Sequence, residues 1–521
     1  MEFQSILDLE ESAFKDQVRP AFFVDLNLDQ ILELIQFQWS QEVRPYFGYF
    51  PQNEACEAYR RNIYQDVKRE AIQELLMNYV NQMRERRTAS ENEQEVEENM
   101  QRVVWHIWEI YHYCRAFEDL YRGLAEQKPA SEGFACFCQF LENYLQSASF
   151  VEIRDRVYAL HQELTGFQLI FTIENDLITL NQGELPGTYD QFLEKSFPGH
   201  KKKLRSPFAG TLHLSNLELE LITMFRKKNP SFFRKAEAFS RDYPVYANET
   251  LLRFDQEIGY YLAFCRFEEK MKREGFEFAV PATDSSREIC AHGLYDLALA
   301  CANYQQKKEV VSNDLVYHPQ ERFFVVTGPN QGGKTTFARS LGQLIYFTKM
   351  GLDVPAVSAN VHYFTNILTH FSVEESIETG RGKLKEELSR LAPMMSAINE
   401  NAFVIINELF TTAANYDACI MGKRVLEHFQ QQRCHGVYVT HLKELGEGGE
   451  AIVSLRALVE EIEEEQPIES AAANSVPPRR RIRSVRRFKM IRSPAEDNGC
   501  ASDLVEKYQL TYEQLRARLN R

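Results

Sequence analysis

An α/β domain built on a mostly parallel sheet, preceded by a large and mostly α-helical region, is the fold class that this sequence predicts. Three observations lead there. In the first half of the chain, apolar residues recur at helical spacing. From about residue 277, short apolar runs (FFVVTG, AFVIIN, GVYVTH) alternate with amphipathic stretches. Between one such run and a helix-like stretch stands GPNQGGKT, residues 328–335, which fits the phosphate-loop pattern G-x-x-x-x-G-K-[ST].

The 521 residues suffice for more than one core. A net charge of -15 excludes a basic nucleic-acid coat, so any nucleic-acid contact must come from local patches. The acidic opening MEFQSILDLEES lacks the basic-then-apolar layout of a signal peptide. No apolar run approaches the roughly 20 residues that span a bilayer, so no membrane partner is expected. The 10 cysteines are scattered, and the CxC pair Cys136 and Cys138 has no second pair at zinc spacing. A reducing, cytoplasmic location is the expectation.

Residues 1–276 read as a helical core domain. In LLRFDQEIGYYLAFCRFEEKM, Phe254, Ile258, Tyr261 and Cys265 fall on one face, with charges on the other. The aromatic run VVWHIWEIYHYCRAF, residues 103–117, calls for burial on most sides. His106 and His112 within it read as core or interface histidines, since spacing supplies no carboxylate or cysteine to complete a ligand set. Residues 86–99, RRTASENEQEVEEN, read as a charged loop or frayed helix end. FQLIFTIENDLITLNQGELPG alternates apolar and polar residues and reads as a strand or hairpin. Residues 277–458 form the α/β domain. Residues 459–485, acidic, then small and proline-rich, then arginine-rich, are expected to be a flexible insertion. Residues 486–521 are expected to supply a strand and helices that complete the α/β domain and a dimer interface, with Leu504, Tyr508, Leu515 and Leu519 available for packing or for a partner.

The chemistry centres on the loop. Gly328, Gly332 and Gly333 let backbone N–H groups, including those near Pro329, Asn330 and Gln331, converge on phosphate oxygens. Lys334 reaches the outer phosphates, Thr335 offers a hydroxyl to a magnesium ion, and the helix start at Thr335-Thr336 adds its positive end. These residues imply a bound nucleoside triphosphate and Mg2+. Some 70 residues later, AFVII ends on Asn407 and Glu408. A parallel strand would bring that pair beside the phosphates, where Glu408 polarises an attacking water. His441 ends GVYVTH, in position to sense the terminal phosphate. In ESIETGRGKLKEELSRLAPMM, residues 375–395, a Gly-Arg-Gly turn precedes a helix whose first N–H groups can meet an anion; Lys383, Lys385 and Glu386 equally suit a solvated face.

TGPNQGGKTTF, DVPA at 353–356, GRGKLKEEL, NELFTTAANYDA and VTHL occur in the order and spacing of the MutS family of DNA mismatch-repair ATPases, which the chain resembles. FVDLNLDQI at 23–31, AVPA after the helices, GLYDLALA at 293–300 and EKYQLTYEQLRARL resemble shorter MutS-like proteins that begin at the helical core and lack the mismatch-recognition domain. The resemblance implies an ABC-type ATPase domain behind a core and lever region, with ATP and Mg2+ held between two chains of a homodimer. Asn330, Gly332, Gly333, Lys334 and Thr335 then match the phosphate loop, Glu408 the catalytic carboxylate and His441 the switch histidine. Gly380, Arg381 and Glu387 match the signature segment acting on the partner's nucleotide, and Tyr416-Asp417 the family's Tyr-Asp.

Three departures stand out. Gly382-Lys383 replaces the family's Ser-Thr, Phe410-Thr411-Thr412 replaces Gly-Arg-Gly, and Asn407-Glu408 replaces Asp-Glu. Losing the carboxylate at 407 costs on the order of 1–4 kcal/mol of attraction to a metal. Weak magnesium binding and slow hydrolysis are therefore expected. Phe-x-Glu, the family's mismatch wedge, occurs only inside the helical part, so specific mismatch sensing is not expected. DNA contact is expected from the lever helices and from HKKKLR (200–205), FRKKNPSFFRK (225–235) and the arginines at 479–487. The alternative is a nucleotide-gated protein-interaction switch with no DNA activity.

Overall fold

A computed structural model describes residues 3–9, 20–37, 39–96, 99–167, 169–174, 177–182, 216–283, 288–303, 308–371, 383–447, 449–465 and 480–494. The chain divides into two compact units, residues 1–6 with 65–258 and residues 7–64 with 259–521. This corrects the boundary expected near 276. Residues 7–64 belong with the sheet, for reasons that lie in their packing.

The first unit is helical. Helices Glu70–Glu95 and Asn99–Gln127 are its longest elements and pack along each other. Of the charged loop or frayed helix end expected over residues 86–99, the part up to Glu95 is the end of a helix, where its charges have partners. Arg86 donates to Glu109 at 2.9 Å and Arg87 pairs with Asp255. Ser131 and Ser147 cap the helices Glu132–Leu145 and Ala148–Thr165 by accepting from the N–H groups of Phe134 and Phe150. Strands β1 (Leu169–Glu174) and β2 (Leu177–Gln182) form the antiparallel hairpin that the alternation predicts. Pro230 opens the helix Pro230–Asp242, where its missing N–H costs nothing. The aromatic run 103–117 is less enclosed than expected, since Trp105, Trp108, Tyr111 and His112 are only half-buried.

Phe254, Ile258, Tyr261 and Cys265 of the helix Glu249–Arg273 are buried, as their spacing requires. The expected exposed charged face is not fully exposed: Asp255, Glu257 and Glu268 are buried too. Within the first unit, Glu257 accepts from the Ser5 hydroxyl at 2.9 Å and the Ile6 N–H at 3.0 Å. In the second unit Glu268 accepts from the Tyr64 hydroxyl. Burial of each carboxylate is thus matched by donors.

The second unit contains β3 (Ile289–Leu294), β4 (Asn313–Tyr317), β5 (Phe323–Thr327), β6 (Ser358–Asn360), β7 (Asn366–Phe371), β8 (Ala402–Asn407), β9 (His435–Val439), β10 (Ile452–Glu465) and β11 (Arg480–Arg492). Six strands form one sheet in the order β11-β10-β5-β9-β8-β7, and β4-β3-β6 form a small antiparallel sheet. All neighbours in the larger sheet are parallel except β10 and β11. Strands β5, β8 and β9 are buried at every position, which is why they read as unbroken apolar runs. On one face, Val325, Val404, Ile406 and Tyr438 join Leu391 and Met394 of helix Lys383–Ala397 and Leu426 and Phe429 of helix Asn415–Gln431 in a single core.

The N-terminal residues of this unit pack on the helix Lys334–Lys349. Gln343 donates to the Leu26 carbonyl at 3.0 Å and Arg339 to the Asp25 carbonyl at 3.0 Å. A Cβ at Gly342 would lie 2.4 Å from a Leu26 methyl, so the helix has a notch that Leu26 fills.

The flexible insertion expected at 459–485 is corrected at both ends. β10 continues to Glu465 and β11 starts at Arg480, paired in antiparallel register with Glu464 opposite Arg481 and Glu465 opposite Arg480. The register sets an acidic run opposite a basic one, a backbone pairing that composition alone does not reveal. Of residues 486–521, those up to Arg492 complete β11. The expected C-terminal helices lie outside the described residues, as does the middle of the insertion.

Candidate active site

Pairing of Val326 and Asn407 with Val439 places the carboxyl ends of β5, β8 and β9 side by side. Ligands of parallel sheets bind at such an edge. The chain leaves β5 through Gly328 at φ +132° and Gln331 at φ +61°, then enters the helix from Gly333 at φ +90°. These are left-handed conformations that favour glycine at the two ends of the loop. The loop closes on itself through the Gly332 N–H, which donates to the Pro329 carbonyl at 3.2 Å. Asn330 and Gln331 are exposed, and Thr336 is half-buried in the first helical turn.

Lys334 is buried and donates to the carbonyls of Gly328 at 2.8 Å and Pro329 at 3.2 Å. Burial lowers its pKa, opposed by the nearby Glu408 carboxylate. Thr335 donates its hydroxyl to the Asn407 carboxamide oxygen at 3.0 Å. Beyond Asn407 the backbone turns sharply: Glu408 has φ +57° and its N–H donates to the Val439 carbonyl at 2.9 Å. Its Oε1 lies 3.0 Å from His441 Nε2. That hydrogen bond holds the Glu408 carboxyl below its ordinary pKa, against the partial burial that would raise it.

Two bonded pairs, Thr335 with Asn407 and Glu408 with His441, thus stand at one sheet edge with Lys334, which bonds within its own loop. Gly380 and Arg381 lie outside the described residues, and Glu387 sits in the first turns of helix Lys383–Ala397. Thr335 and Asn407 present two hard oxygen donors in contact, a donor set that fits magnesium but brings no negative charge of its own.

The hairpin β10–β11 is the part of the site that sequence reasoning missed. A Cβ on Gly328 would sit 2.9 Å from the Ala457 Cβ, beside the irregularity where the register of β10 shifts. A Cβ on Gly333 would sit 3.3 Å from the Phe488 ring, and Arg486 donates to Gln331 at 3.4 Å. Phe488 has φ +56°, and Asn313 fixes its surroundings by donating to the Phe488 carbonyl at 3.2 Å and accepting from the Met490 N–H at 2.8 Å. The only trace of this in the sequence is one aromatic residue within a basic run.

Outside this edge, Glu93, His106 and Glu109 bring one ligand atom each within 4.8 Å of one another. The carboxylates that spacing did not show come from the neighbouring helix and from one turn further along. No cation is needed there. Arg86 lies 2.9 Å from Glu109, the Tyr246 hydroxyl donates to Glu109 at 2.7 Å, and both His106 nitrogens face acceptors, Glu93 and the Tyr243 carbonyl, each at 3.1 Å. Burial opposes a charge on His106, but these acceptors raise its pKa. The basic patch at 225–235 is partly neutralised, Arg226 by Glu237 at 2.9 Å and Lys235 by Glu163 at 3.0 Å. The patch at 200–205 lies outside the described residues. Every cysteine among the described residues is free, and no helix among them is long and apolar enough to cross a membrane.

Residues 324–475 match the family described as MutS domain V. The DNA mismatch repair protein MutS of Fervidobacterium nodosum is 27% identical over 157 residues, 30% of this chain and 19% of that protein. The DNA mismatch repair protein spellchecker 1 of Drosophila melanogaster is 25% identical over 175 residues, 33% of this chain and 19% of that protein. For the DNA mismatch repair protein MutS of Chlamydia trachomatis the identity is 26% over 177 residues, 33% of this chain and 21% of that protein. The chain therefore spans about a fifth of the length of these relatives.

Proposed function

We propose that this chain, which belongs to the MutS family by its domain V, is a slow ATP hydrolase whose nucleotide state controls closure on DNA. The observation that carries the proposal is the chain of contacts along the sheet edge: Lys334 folded into its loop, Thr335 on Asn407, and Glu408 on His441. In this reading the loop N–H groups and Lys334 bind the phosphates, the helix N-terminus adds its positive end, and Glu408 aims a water at the terminal phosphate. His441 orients Glu408 and reports the terminal phosphate. Thr335 and Asn407 hold Mg2+, which supplies charge neutralisation on the phosphate oxygens. Gly380 and Arg381 serve the partner's nucleotide in a homodimer.

Phosphate release by the full chain, compared with Glu408→Gln, tests this directly. The variant is expected to lose turnover at least a hundredfold while still binding ATP. Equal rates in the two proteins overturn the assignment of Glu408. DNA is favoured as the macromolecular partner because the relatives matched over domain V are named as DNA mismatch repair proteins.

A further inference from the structure

Two residues directly after β8 hold backbone conformations that L-residues rarely adopt. Glu408 has φ +57° and Phe410 φ +63°. Such strain persists only where the surroundings over-determine it. At Glu408 two restraints are visible, the N–H bond to the Val439 carbonyl and the side-chain contact with His441. At Phe410 the restraint is the side chain. Phe410 is 2% exposed and belongs to the same core as Leu409 and as Leu391 and Met394 of helix Lys383–Ala397. Its carbonyl accepts from the Ala413 N–H at 3.1 Å, closing the next turn, 410–413, on the side away from Glu408. A side chain on a left-handed residue is disfavoured, yet here a large one is driven into the interior. An anchor explains that combination and a passive linker does not.

We infer that Phe410 is a positioning residue: its buried ring locks the turn that presents Glu408 to His441. The inference rests on the hydrolase reading above and adds to it the element that fixes the carboxylate. Phe410 acts through the turn and does not touch the nucleotide. It also ties the Glu408 turn to the core of the helix that follows Arg381, so a shift of that helix reaches the carboxylate through packing.

The test separates strain from anchoring. Phe410→Gly relieves the left-handed conformation but removes the anchor, whereas Phe410→Leu keeps an apolar anchor. With MgATP, Phe410→Gly is expected to lower kcat about tenfold or more with KM changed less than about twofold, since the phosphate loop is a separate segment. Phe410→Leu is expected to keep kcat within about threefold. A crystal structure of Phe410→Gly is expected to show Glu408 beyond hydrogen-bond reach of His441. Unchanged kcat, a parallel loss of kcat and KM, or an intact Glu408–His441 contact overturns the inference. Wild-type turnover no greater than that of Glu408→Gln sinks the hydrolase reading instead, and the crystal geometry still decides the role of Phe410. Should Phe410→Gly fail to fold, Phe410→Ala is read by the same two measurements.

Discussion

In the proposed site, Asn407 is the residue that would decide magnesium binding. It keeps an oxygen toward Thr335 but gives up one negative charge, on the order of 1–4 kcal/mol of metal attraction. Asn407→Asp is therefore expected to lower the magnesium concentration for half-maximal turnover by about tenfold or more. An unchanged magnesium requirement would show that the metal sits elsewhere. In the proposed hydrolase, Glu408 would set the pH dependence. Its folded pKa lies below the ordinary value of 4.5, with the His441 hydrogen bond as the chief cause. The carboxylate, and the stability its pairing contributes, is thus fully present above that value and lost only as pH falls through the lower folded one. The acid limb of kcat is expected below pH 4.5, and His441→Ala should move it up. A limb that stays put would remove His441 from the site. Lys334, Thr335, Glu408 and His441 were legible in sequence because each closes an apolar strand run or a glycine loop. The left-handed Phe488 against Gly333 was not, since its position depends on a strand pairing formed far along the chain.

At the scale of elements, the parallel strands were legible as unbroken apolar runs and the helix faces as periodic ones. The hairpin β10–β11 was not. Its strands are rich in like charges, which reads as disorder until the two are set opposite each other. Burial of Asp255 and Glu257 was hidden for a similar reason: their partners Arg87, Ser5 and Ile6 are distant in sequence. The hairpin closes over the phosphate loop, so Gly328→Ala, at φ +132° and 2.9 Å from Ala457, should displace one from the other. The expected result is a folded protein with ATP affinity reduced about tenfold by calorimetry. Undiminished affinity would detach the hairpin from nucleotide binding. His106 makes a second element-scale prediction. Its raised pKa means that its contribution is present below the ordinary value of 6.5 and lost as pH rises through the folded value. Hydrogen exchange of residues 86–113, corrected for intrinsic rates, should lose protection as pH rises from about 6.5 to 9, and His106→Gln should abolish that dependence. Protection independent of pH in the wild type would contradict the raised pKa of His106.

For the whole molecule, a net charge of -15 leaves DNA contact to local basic surface. If about six phosphates are neutralised, affinity for duplex should fall about a thousandfold between 50 and 200 mM salt. Binding insensitive to salt would favour the nucleotide-gated protein switch in place of a DNA clamp. Both readings share one premise, a triphosphate bound at the edge formed by β5, β8 and β9. Crystals soaked with magnesium and a non-hydrolysable ATP analogue test it most directly. The expected result is phosphates wrapped by residues 328–335, magnesium beside Thr335 and Asn407, and the Glu408 carboxylate turned toward the terminal phosphate. A nucleotide bound away from that loop, or a Glu408 carboxylate turned away from the phosphates, would contradict it.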